Sequence, residues 1–313
     1  MRKLEDTLKA RELSDTTIKA YMMRLRHLNN FKAFNSFAFL KDIPAIDKII
    51  EEGTENTRKN HYAAILSCMK DYRTKSTYRK AYEYYERKFK TSSDTIKAEL
   101  KTNEKTETQK ENWIEWKEVI EVRDKLQAEV DAIDLSGSIL QTDYNKILSN
   151  LILALYTYIP PRRNKDYMKM YVAYFPHTLL LPKDKNYYDI KNQRFIFNTY
   201  KTETEYGQQI VDITGKTELI KALSDYLKVH QTKIPVEADH YMFPLLTHYG
   251  GGEFKLDYDI TRNLNRTFGK NIGATMLRHI YLSNEYGSTI EKRKEDAKNM
   301  GHSLSTQIDY IKI

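Results

Sequence analysis

Three short stretches in the second half of the chain gather side chains that can neutralise a phosphate and attack it. In Pro160-Pro161-Arg162-Arg163-Asn164-Lys165-Asp166-Tyr167, two prolines stop a long apolar helix and two guanidiniums follow at once, which suits a phosphate clamp. In Thr275-Met276-Leu277-Arg278-His279, Arg278 sits on a helix beside Met276, Leu277, Ile280 and Leu282. Its charge is therefore partly buried and needs a partner, either a carboxylate or a phosphate. In the tail, Gly301 ends a helix and His302 stands eight residues ahead of Tyr310. Arg, Lys, His and Tyr are the groups that can stabilise and attack a phosphate without a metal. The chain carries no Gly-rich phosphate loop, no HExxH or Cys/His metal spacing, no GxSxG elbow and no obvious carboxylate cluster, so no metal and no cofactor is expected.

Hydrophobic periodicity predicts the elements that must hold these groups. Helical stretches at 113–132 and 143–158 precede β-like runs at Tyr171–Phe175, Phe195–Asn198 and Gln209–Ile213. Helices follow at Thr217–His230, Leu256–Phe268, Ala274–Tyr286 and Thr289–Met300, with Ser303 or Ser305 starting a last short turn that carries Tyr310. His279 reads as a structural, hydrogen-bonded histidine, and His248 with Tyr249-Gly250-Gly251-Gly252 as a loop. Towards the N-terminus, Ser14 caps a helix carrying Ile18, Tyr21, Met22, Leu25 and Leu28. A second helix follows Thr54 with Tyr62, Ile65, Leu66 and Met69 inward, and a third starts near Thr77. Cys68, the single cysteine, falls in that apolar pattern and reads as core.

Between Lys90 and Glu111 apolar residues almost vanish, so this stretch reads as an exposed linker without the burial to order itself. Two domains follow, 1–95 and 112–313, with 96–111 between them. Charge divides the same way: residues 1–110 hold 24 Lys+Arg against 16 Asp+Glu, and residues 111–313 hold 27 against 27. A basic module joined to a neutral one suits a protein whose first part grips a polyanion. Arg73, Lys75, Arg79, Lys80, Arg87 and Lys88, interleaved with tyrosines, form the expected patch. With no long apolar run and no secretory start, the chain is expected to be soluble and intracellular, away from membranes.

Taken in order, the three stretches resemble the boxes of the tyrosine recombinase (phage integrase) family. Arg163, Asp166 and Met170-Tyr171-Val172 fit the first box, with Pro160-Pro161 where the family has Gly-Leu and Arg162 as the alternative register. Lys201-Thr202, between Phe195-Ile196-Phe197 and Gln209-Ile210-Val211, is similar to the family's hairpin lysine. Arg278-His279 fits box II, with Thr275 in place of its first histidine. Gly301-His302-Ser303 and Tyr310 fit the last box and the nucleophile. Ser14–Tyr21 and Thr57-Arg58-Lys59-Asn60 are similar to the family's helical core-binding domain.

The resemblance implies a mainly α chain with a small β-sheet, an α+β catalytic domain joined to a helical core-binding domain in a C-shaped clamp. It implies double-stranded DNA as partner, a homotetramer assembled as a dimer per site, and a 3′-phosphotyrosyl intermediate made without ATP. Arg163, Lys201, Arg278, His302 and Tyr310 would be catalytic, and Arg162 and the basic patch would contact DNA. Because only three residues follow Tyr310, subunits are expected to contact through the N-terminal helices or to exchange the Tyr310 segment. A type IB topoisomerase uses similar residues, but its small viral forms begin with a β-rich domain, whereas this N-terminus lacks period-two alternation. A catalytically silent DNA-binding protein of the same fold is the other alternative, motivated by Thr275.

Overall fold

The computed structural model describes residues 8–11, 13–102, 104–168, 170–174, 181–230, 241–254 and 257–299. The chain divides into two compact units, residues 1–105 and 106–313. Among the described residues it is mainly helical with one small mixed sheet, an α+β composition. Among the described residues no helix is long and apolar enough to cross a membrane.

The first unit is built from α1 (Asp15–Leu28), α2 (Ile43–Glu51), α3 (Glu55–Met69) and α4 (Ser76–Thr102). Ser14 and Thr54 accept the backbone N–H of Thr17 and Thr57, which satisfies an otherwise orphaned first-turn donor and starts α1 and α3 where the sequence predicts them. Ile18, Met22, Leu25 and Leu28 of α1 pack with Tyr62, Ile65, Cys68 and Met69 of α3 and with Tyr85 of α4. Cys68 is buried, and burial pushes its thiol up to about 12, so it behaves as core.

The expected linker is not irregular. Residues 96–102 continue α4 without a break, and α5 (Glu107–Asn112) follows with a capping box between Thr106 and Gln109. The side chains described there are mostly exposed, as composition implies, but helix does not need burial here. Extending an existing helix avoids the nucleation cost, and Lys, Ala, Glu and Leu are good helix formers. The unit boundary, between residues 105 and 106, falls in the short non-helical step between α4 and α5.

The second unit is organised around α7 (Gln141–Thr157). Residues Ile147–Tyr156 of α7 are all buried, so this helix is apolar all round and sits at the centre. It packs between α6 (Trp116–Asp131), α10 (Thr217–Lys228) and α11 (Asp257–Phe268). Truncating a residue such as Leu151, fully buried, would cost about 2–5 kcal/mol.

After α7, the prolines lead into a short helix, α8 (Asn164–Met168), and then the sheet. Its strands are β1 (Met170–Tyr174), β2 (Asn186–Asp189), β3 (Arg194–Phe197), β4 (Gln209–Asp212) and β5 (Tyr241–Pro244), ordered β4-β3-β2-β1-β5. β1 and β2 are parallel, with Met170 opposite Asn186, and the other neighbours are antiparallel. A single helical turn, α9 (Glu203–Tyr206), joins β3 to β4. The last helix among the described residues, α12 (Ala274–Asn299), runs unbroken through Gly287, where the sequence predicts two helices. One interior glycine costs a helix only about 1 kcal/mol, too little to end it. Ala274, Leu277 and Ile280 bury its first turns, and Tyr281 meets the Trp116 ring edge-on at 5.3 Å.

Candidate functional site

Pro160 and Pro161 close α7 and turn the chain so that Arg162 and Arg163 leave in succession, both half-buried. Their side chains part company. Arg162 donates from Nε to Asp166 Oδ2 at 2.9 Å and from Nη1 to Gln209 Oε1 at 2.9 Å, and it lies 3.7 Å from the centre of the Phe197 ring. Tyr200 flanks it at 5.4 Å. The guanidinium of Arg162 is thus engaged by partners within its own unit.

Arg163 makes no side-chain hydrogen bond or ion pair among the described residues. It is close enough to Arg278 for the two charges to interact: burial lowers the Arg278 pKa first, Arg163 lowers it further, and Tyr156 and Asp166 act the other way. Arg278 donates from Nη2 to Thr275 Oγ1 at 3.2 Å, while its Nε is buried without a hydrogen-bond partner. Two guanidiniums more than a hundred residues apart in sequence thus feel one another's charge, and among the described residues neither forms an ion pair with a carboxylate. Like charges held close in a half-buried place repel, and an anion that accepted from both would offset the cost.

Hydrogen bonds set this geometry from several directions. Tyr156, at the end of α7, donates to Asn164 Oδ1 at 2.8 Å, and Asn164 Nδ2 donates to Thr261 Oγ1 of α11 at 2.9 Å. Thr261 also lies against Gly273, just before α12, where an added Cβ would stand 3.2 Å from its methyl group. Gly273 thus permits the close approach that seats the start of the Arg278 helix. Asp166 is buried; burial raises its pKa, while Arg162 and then Arg163 pull it down.

Lys201 lies in the β3–β4 connection, as predicted, and its side chain is exposed. No contact links its ammonium to Arg163 or Arg278 among the described residues. The residue before it is nevertheless anchored: the Tyr200 N–H donates to Glu203 Oε2 at 2.8 Å, and the Tyr200 hydroxyl donates to the Gly207 carbonyl at 2.6 Å. Thr275 is exposed and touches Arg278, as given above. His279 is exposed and makes no hydrogen bond among the described residues; it points away from the face that Leu277 and Ile280 bury. His248 opens the Gly-rich turn, against the Phe254 ring at 4.5 Å. His302 and Tyr310 lie outside the described residues.

Sequence reading missed Asn186. This fully buried amide, the first residue of β2, donates to the carbonyls of Asp166 (2.7 Å) and Thr199 (2.9 Å) and accepts from the N–H groups of Asn198 (2.8 Å) and Thr199 (2.9 Å). The available signal was an Asn opening a tyrosine-rich run, since Asn is depleted in strands.

The predicted basic patch of the first unit is partly neutralised. Arg79 pairs with Glu83 at 2.8 Å, and Lys88 with Asp47 at 3.7 Å and Glu51 at 3.4 Å. Arg73, Lys75, Lys80 and Arg87 are exposed, with Lys75 over the Tyr72 ring at 4.3 Å.

Set against known protein families, curated proteins and solved structures, the chain matches none.

Proposed function

We propose that the chain is a tyrosine-type site-specific DNA recombinase, an integrase-like strand transferase. The observation that carries this reading is the pair Arg163 and Arg278, guanidiniums that feel one another's charge and that form no ion pair among the described residues, in the order that the family resemblance assigns to phosphate binding. In this reading the pair holds the two non-bridging oxygens of a DNA phosphate, where charge grows in the pentavalent transition state. The Tyr310 oxygen attacks phosphorus, the bond to the 5′ oxygen breaks, and a 3′-phosphotyrosyl link forms. Lys201 gives the leaving 5′ oxygen its proton, and His302 or water takes the proton of Tyr310. Thr275 has no basic group for that task; its hydroxyl bond to Arg278 instead suits it to orient the guanidinium.

The basic helical unit acts as the second jaw of a clamp on double-stranded DNA, gripping mostly by phosphate contacts, and the working form is a homotetramer with a dimer on each site. The test is a denaturing gel of protein incubated, with chelator, with nicked duplexes covering the ends of its parent element. A covalent adduct with wild type and none with Tyr310→Phe is expected. Binding without an adduct in either protein would replace this reading with that of a silent DNA-binding protein.

A further inference from the structure

Two groups that the proposed reaction needs at fixed separation, Arg163 and Lys201, come from different elements. Arg163 immediately precedes α8, and Lys201 leaves the turn after β3. Asn186 bridges them. From β2 its Nδ2 reaches the Asp166 carbonyl in α8, while its Oδ1 collects the N–H groups of Asn198 and Thr199, just ahead of Lys201. The bond to the Thr199 carbonyl completes the set. Both donors and both acceptor positions of the amide are used, and only one orientation satisfies two carbonyls on one side and two N–H groups on the other. The parallel register that sets Met170 opposite Asn186 puts the amide next to the end of α8.

We propose that Asn186 is a positioning residue that locks the Arg163 segment and the Lys201 turn into one frame, so that the proton donor meets the leaving oxygen of the phosphate that the arginines hold. This rests on the recombinase reading for its chemistry, but the mechanical link stands apart from it. A residue acting only as local packing would loosen one segment. A lock loosens both together.

The experiment therefore has two arms on the full chain. Amide hydrogen exchange on Asn186→Ala, and on Asn186→Asp, which keeps the acceptor but loses the donor, is compared with Leu151→Ala, which weakens the core without touching the link. For Asn186→Ala, faster exchange at both 163–168 and 198–204 with 144–150 unchanged is expected; Leu151→Ala should show the reverse. Loosening of only one segment, or the same profile in Leu151→Ala, overturns the lock. In the second arm, Asn186→Ala cleaves ordinary DNA roughly 100-fold more slowly, the scale of a lost general acid. It recovers on DNA whose bridging 5′ oxygen is sulfur, because a thiolate leaves without a proton. Lys201→Ala should recover likewise and Arg163→Ala should not. No recovery in Asn186→Ala overturns its action through Lys201. If wild type forms no adduct with either DNA, the recombinase reading fails, and the exchange arm still decides the lock.

Discussion

The two units treat positive charge in opposite ways. In the first, cations lie on the surface, and several are already matched: Arg79 with Glu83, Lys88 with Asp47 and Glu51, Arg58 with Glu55. His61, buried in its core, is held neutral, its pKa lowered to about 4 by burial first and then by His27 and Arg24. In the second unit, charge is carried into half-buried positions and sorted there. Arg162 is tied to Asp166, Gln209 and the Phe197 ring, while its neighbour Arg163 is set beside Arg278. Surface charge of the first kind gives attraction without address; guanidiniums of the second kind define where one anion sits.

The sharpest way to break this contrast is to remove the unmatched pair. Arg163→Ala and Arg278→Ala should each slow covalent adduct formation by about 1,000-fold, roughly 4 kcal/mol, with no loss of thermal stability. A variant that unfolds instead would make the pair structural.

Arg162→Ala should do the opposite and cost about 3 kcal/mol in stability, because Asp166 is left buried without its cation. The deficit has a pH signature. The Asp166 pKa in the folded protein is raised above its ordinary 3.8, and losing Arg162 raises it further. A raised folded pKa means that the folded state favours the protonated carboxyl, so the deficit is absent near and below 3.8 and grows as pH rises above it. Chemical denaturation at several pH values checks this; a pH-independent deficit would assign it to lost ring packing.

For His61 the sign reverses. Its folded pKa lies below the ordinary 6.5, so stability is present above 6.5 and is lost as pH falls towards about 4. Replacing His61 with Gln should remove about 2 kcal/mol of that acid sensitivity, read from melting of the first unit at neutral and acid pH. The smallest effects belong to the surface. Arg73, Lys75, Lys80 or Arg87 changed to Ala should each lower the salt slope of DNA binding by about 1, and Arg79 and Lys88 by less, because their own carboxylates already screen them. Equal slopes for all six would erase the distinction between matched and unmatched cations.

What the sequence allowed one to read follows from which forces are local. Ser14 and Thr54 mark helix starts because capping acts within three residues, and β1, β3 and β4 show in their aromatic and β-branched runs. β2 was missed because all four of its residues are buried and no alternation shows, and β5 because it is a short run. The far end of α4 is not legible because low apolar content signals no order by burial, whereas helix can propagate without it. At the site, the types of Arg163 and Arg278 were legible, but their proximity was not, since it is made by α7, α11 and Gly273. Nothing local distinguishes Arg162 from Arg163; only Asp166, Gln209 and Phe197, gathered by the fold, do so.

One packing detail supplies its own optical probe. The chain has two tryptophans, Trp113 and Trp116, both in the second unit, and Trp116 rests against Tyr281, one helical turn beyond Arg278. Tryptophan emission is therefore silent about the first unit and sensitive to the seating of the Arg278 helix. Read beside circular dichroism, which sees every helix, it separates the melting of one unit from that of the other in a single unlabelled sample.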